Sequence, residues 1–115
     1  MPARLFLQNA KKSALYRQNE FELKISDIVE MWNQQSQICA YSGKVMTLEH
    51  GKLNTVSIER IDSKIGYTKS NTILVCNAVN RMKSDFTFNE FFEMCKSVTE
   101  HLSDDFLELQ VGAYK

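Results

Sequence analysis

Between Ile58 and Lys83 the chain reads IERIDSKIGYTKSNTILVCNAVNRMK, and this stretch constrains the fold more than any other. Val56–Ile61 reads as a strand. Ser63–Ser70 is a polar loop with Gly66 at its bend. Thr72–Cys76 is short and rich in β-formers, which predicts a buried strand. Asn77 is a candidate cap for a short helix through Lys83. Within that frame Glu59 ends the first strand, Asn71 opens the second, and Asn80 sits in the helix with Arg81 and Lys83 behind it.

The flanks are predominantly helical. Phe6/Leu7, Ala10 and Ala14 recur at helical spacing, predicting a helix over 4–18. Phe21-Glu22-Leu23 is extended. Ser26 is placed as an N-cap with Asp27 in the first turn, and Ile28, Val29 and Trp32 form the apolar stripe of a helix ending near Gln35. Cys39–Gly43 reads as a turn in which Gly43 is free to take positive φ. Val45–Leu48 is a candidate strand, separated from Val56–Ile61 by a polar loop that contains His50. Thr87 and Glu90 match a capping box, and Phe88, Phe91/Phe92, Cys95, Val98 and Leu102 then form the stripe of a long helix. Phe86, Phe88, Phe91 and Phe92 are assigned to the core, and the tail from Ser103 holds at most one further helical turn. The order of elements indicates an α+β domain with a small antiparallel sheet. At 115 residues, 1–115 is expected to be one domain.

Composition narrows the setting. No apolar run approaches the roughly 18 residues that span a bilayer. The N-terminus MPARLFLQNAKK lacks a signal-peptide layout, so a cytoplasmic location without membrane partners is expected. Three cysteines, Cys39, Cys76 and Cys95, are an odd number for a disulfide framework and read as reduced thiols. Net charge is zero, but its distribution is uneven. Residues 1–19 carry four bases and no acid, and residues 44–83 carry seven bases against three acids. The last segment, 85–115, carries seven acids against two bases. The two basic blocks suit a phosphate backbone if they share a face, and are solvated surface otherwise.

A strand-end acid beside a helical amide can supply oxygen ligands to a hard divalent cation, which phosphodiester hydrolysis uses to neutralise the phosphate. The ordered set Cys39-Ala-Tyr-Ser-Gly43, Glu59-Arg60-Ile61, Gly66…Asn71, Leu74-Val75-Cys76 and Asn80-Arg81-Met82-Lys83 resembles the HNH (His-Me finger) nucleases, over roughly residues 4–100. The resemblance is to a phage and bacterial ERID-type branch with Arg in place of the catalytic His. It implies a ββα-metal core with N-terminal helices and a long C-terminal helix, and a metal-dependent endonuclease acting on DNA in a bacterial or phage-infected cell. It implies Glu59 and Asn80 as ligands of Mg²⁺ or Mn²⁺, and Asn71 as the residue that ties the loop by backbone hydrogen bonds. Lys11, Lys12, Lys64, Arg81 and Lys83 are the candidate nucleic-acid contacts. Arg60 stands at the position of the general-base histidine; arginine cannot accept a proton near neutrality but can stabilise phosphate charge. His50 is then the candidate base, with surface loop histidine as its plainer reading. A structural zinc is not expected: the Cys pairs that many of these domains carry are reduced to Cys39-x-x-Ser42 and Cys76, too few thiols for a four-ligand site, and Trp32, Ile38 and Ile73 are expected to fill that space. Two other classes remain open: an inactive DNA-binding module, and a protein-interaction domain that uses the acidic C-terminal helix.

Overall fold

The computed structural model describes residues 4, 8, 11, 12 and 21–102. Of the helix predicted over 4–18, Arg4, Gln8, Lys11 and Lys12 are helical and exposed, and the rest lies outside the described residues, as does the tail from Ser103. The elements in order are α1 (Ile25–Gln34), β1 (Val56–Arg60), a 3₁₀ turn (Lys69–Asn71), β2 (Thr72–Cys76), α2 (Asn77–Lys83) and α3 (Phe88–His101).

The two strands pair antiparallel, from Val56 opposite Cys76 to Arg60 opposite Thr72. Four of the five residues in each strand are buried, so the small sheet is covered on both faces. α1 packs against β2 through Ile28, and α2 packs against both strands. The core is Leu23, Ile28, Cys39, Met46, Val56, Ile58, Tyr67, Leu74, Val75 and Cys76. At the outer edge of β2, the Gln35 side chain accepts from the Leu74 N–H at 3.0 Å and donates to the Leu74 carbonyl at 2.8 Å. Two positions on, the Cys76 N–H donates to the Cys39 sulfur at 3.2 Å.

Several expectations are corrected. Val45–Leu48 is not a strand; Val45 makes an isolated bridge to Ile38 and Thr47 one to Thr55. α1 begins earlier than a Ser26 cap would allow: Lys24 is the N-cap, and its N–H donates to the Asp27 carboxylate at 2.9 Å, so the first-turn acid does the capping. Cys76 rather than Asn77 caps α2. Gly43 does take positive φ, at 72°.

The capping box of α3 forms: Glu90 N–H donates to Thr87 Oγ1 at 3.1 Å, and Thr87 N–H donates to Glu90 Oε1 at 2.9 Å. The phenylalanines are not core, however. No residue of α3 is buried, and Phe86, Phe88 and Phe92 are 56%, 43% and 52% exposed. The sheet is too narrow for α3 to lie across it, so Phe88 and Phe91 gather at the Tyr41 ring, at centroid distances of 5.5 and 6.2 Å. No helix among the described residues is long and apolar enough to cross a membrane.

Candidate active site

In β1, Ser57 and Glu59 project to the same face because strand side chains alternate. In α2, Asn80 and Lys83 stand three residues apart and share a helix face. The fold brings these two faces together. The Asn80 side-chain amide donates to Ser57 Oγ at 2.7 Å and to the Ile58 carbonyl at 3.4 Å. One turn on, the Lys83 ammonium lies 3.4 Å from Glu59 Oε2. Both groups are buried, with side chains 0% and 6% exposed.

This contact is an ion pair not aligned as a hydrogen bond: neither Glu59 Oε2 nor Lys83 Nζ has a hydrogen-bond partner. Burial pushes the Glu59 carboxyl above its ordinary value, and the Lys83 and Arg60 charges pull it back without cancelling the shift.

Glu59 opens onto a cavity of about 350 Å³ lined by Ile58, Arg60, Tyr67, Asn80, Arg81, Ser84 and Asp85. Arg60 is 5% exposed; its Nη1 donates to the Ser63 carbonyl at 2.7 Å, and the guanidinium stands 5.4 Å from the Tyr67 ring centroid. It is a fixed charge in the cavity wall. A second hollow, about 560 Å³ between α3 and the Met82–Phe86 segment, is lined by side chains such as Phe91, Met94 and Val98 and holds none of the predicted site residues.

Asn71 is buried and closes the loop below Arg60. Its Oδ1 accepts from the Asp62 N–H at 2.9 Å, and its Nδ2 donates to the carbonyls of Asp62 at 3.0 Å, Gly66 at 3.0 Å and Ile65 at 3.3 Å. Glu59, Arg60, Asn80 and Arg81 therefore meet in one cavity, with Asn71 holding the loop beside it.

Other predicted residues fall elsewhere. His50 is exposed in the turn before Gly51 and is not part of the cavity wall, which removes the geometric support for a base role. Lys11, Lys12, Lys64 and Arg81 are exposed, as phosphate contacts must be. Lys83 is not: it is 0% exposed and turned inward to Glu59, so its predicted place on a nucleic-acid surface is corrected.

Tyr41 was not singled out by the sequence. Its hydroxyl is buried without a hydrogen-bond partner, and its pKa is pushed up to about 12 by burial, then by the negative charges of Glu59 and Cys39. Nothing local marks it, because the turn Cys39–Gly43 reaches Glu59 only by docking on the far edge of β2. In that turn, Ser42 Oγ lies 3.7 Å from Cys76 Sγ, and the Ser42 N–H donates to Cys39 Sγ at 3.3 Å. Burial raises the Cys39 thiol, but hydrogen bonds from Ser42 and from the Cys76 N–H outweigh it and hold the thiol below its ordinary value.

The donor set suits a hard cation. Glu59 lines the same cavity as Asn80, whose NH₂ is engaged by Ser57 and Ile58, so that any oxygen ligand it supplied would be its amide oxygen. Among the described residues no three His, Cys, Asp or Glu side chains cluster.

With this geometry in hand, the comparisons define the class of fold. The rare-cutting HNH restriction endonuclease PacI superposes with a TM-score of 0.64 over 86% of this chain and 78% of its own, at 19% identity. The described chain thus has an HNH-type ββα fold. In sequence, an uncharacterized 29.0 kDa protein from the dda-modA intergenic region of Enterobacteria phage T4 is 36% identical over 89 residues. That match takes in 76% of this chain and 34% of the relative, so the chain spans about a third of the phage protein's length. No protein-family model matches.

Proposed function

We propose that residues 1–115 act as a single metal-dependent endonuclease domain of the HNH type, which hydrolyses phosphodiester bonds in DNA. The observation that carries this reading is Glu59: a buried carboxylate that lines a cavity together with Asn80, Arg60 and Arg81. A packed core gains little from a buried ion pair of this kind, since desolvating both charges can exceed what their attraction returns. Glu59 and Asn80 would hold Mg²⁺ or Mn²⁺ through oxygen atoms. The bound ion supplies charge neutralisation at the phosphate and stabilises the departing oxygen. Arg60 takes no proton; its fixed guanidinium attracts the phosphate and stabilises the charge that grows on it. Asn71 keeps the loop shaped so that Ser63 can hold Arg60. Exposed Arg81, Lys64, Lys11 and Lys12 attract the nucleic-acid backbone. The phage relative fits a site of action in the cytoplasm of an infected bacterial cell.

A second reading, a DNA-binding module without catalysis, is favoured by one observation: the Glu59 charge is already matched by Lys83. Incubation with supercoiled plasmid separates the two. The nuclease reading expects nicking with Mg²⁺ or Mn²⁺, none with chelator, and none from a folded Glu59→Gln variant. Plasmid binding without nicking in either ion supports the module instead.

A further inference from the structure

We infer that Lys83 is a resident counter-cation of Glu59, with which a divalent ion must compete for that carboxylate. The inference deepens the metal-site reading above and rests on it. Lysine is seldom fully buried unless paired, and here its partner is one of the two carboxylates, Glu59 and Asp85, that line the cavity. The 3.4 Å contact falls on Oε2, the oxygen that has no hydrogen bond.

An ion seated ~2.1 Å from Oε2 is at most about 5.5 Å from Nζ, given the 3.4 Å ion pair. At that range, away from bulk water, a divalent ion and an ammonium repel strongly. Arg60, in the same wall and held by Ser63 and Tyr67, adds a further positive charge. Neutral Asn80 offsets none of it, and the Asp85 carboxylate in the same wall offsets part. Loading on Oε2 therefore competes with the Lys83–Glu59 contact, and the ammonium lowers the ion's affinity.

The test is Mn²⁺ binding by the full chain, read as loss of the free-ion electron paramagnetic resonance signal, without DNA or turnover. Lys83→Met is expected to bind Mn²⁺ at least tenfold more tightly than the unaltered protein, and Glu59→Gln combined with Lys83→Met is expected to lose the gain. A merely structural lysine predicts the reverse, since a destabilised variant binds less well. Equal or weaker binding by a folded Lys83→Met variant overturns the inference and leaves the metal site standing. Absence of Mn²⁺ binding in both proteins overturns the metal site, and this inference with it. If Lys83→Met does not fold, the unaltered protein decides: the ¹³Cε resonance of the buried Lys83 should move on Mg²⁺ titration in step with binding. A resonance that stays put while the ion binds overturns the competition.

Discussion

Replacing Asn71 by alanine should cost about 3 kcal/mol, at roughly 1 kcal/mol for each hydrogen bond lost. The side chain makes one bond as acceptor, from Asp62 N–H, and donates to three carbonyls, Asp62, Gly66 and Ile65. The NH₂ has two hydrogens for those three acceptors, so the equivalent of three full bonds is removed. Asp62 and Ile65 are exposed and their freed groups can reach water, which keeps the cost near the net value of each bond rather than the full desolvation penalty. Urea unfolding followed through Trp32, the sole tryptophan, gives the difference as a midpoint shift at constant slope. Asn71→Asp sharpens the test. It keeps the acceptor for Asp62 N–H but sets a carboxylate against three carbonyl oxygens, which raises its folded pKa above the unfolded value. It should be no more stable than Asn71→Ala at neutral pH, and should regain stability as pH falls through the folded value and the group protonates. A loss below about 1 kcal/mol for Asn71→Ala would falsify the view that this one amide organises the loop.

Three other outcomes are expected. Absorbance titration of the four tyrosines should leave one, Tyr41, titrating last, near 12, and Glu59→Gln should lower that value. Because its folded pKa lies above the unfolded value near ~10, Tyr41 adds nothing to the pH dependence below that, and stability falls as pH rises from there toward 12. Lys64→Ala and Arg81→Ala should each weaken DNA binding and reduce the salt slope by roughly one charge, measured by fluorescence anisotropy, while His50→Ala should leave both nearly unchanged. Ser84→Gly should raise the melting temperature, with a gain of about 1 kcal/mol. Ser84, with φ 49° and ψ −128°, stands at the first central position of a type II′ turn closed by Phe86 N–H to the Lys83 carbonyl at 3.0 Å, where glycine is favoured.

The strand–loop–strand–helix order was legible because each piece carries a local signal: β-formers in Thr72–Cys76, Gly66 at the loop bend, and a capping box at Thr87 and Glu90. The meeting of Glu59 with Asn80 followed from that order through the family resemblance. Lys83 was misread because a lysine in the last turn of a helix ordinarily points to water and favours the helix dipole. The spacing of three from Asn80 was the available clue that both face Glu59. The phenylalanines after Thr87 misled in the opposite direction. Helical spacing shows that they share a stripe, not that the two-stranded sheet has room to cover it. Tyr41 had no signal at all, since only the docking of its turn on β2 brings it to the site.

The Gln35 amide on Leu74 has a consequence for how this chain behaves in a crowd. A strand edge is a template for another strand, and a two-stranded sheet is nearly all edge. One side chain mimics a peptide unit there, presenting a carbonyl and an N–H where a third strand would present its own. Sheet growth is thereby terminated from within the molecule, at a half-buried position beside the core. The cost is a dependence on α1: whatever loosens that helix withdraws Gln35 and frees the Leu74 N–H in the middle of a short apolar strand suited to self-association, leaving Ala40 and Cys39 as the cover of that edge. The route to aggregation for this protein thus begins with the departure of a helix, before either strand unfolds.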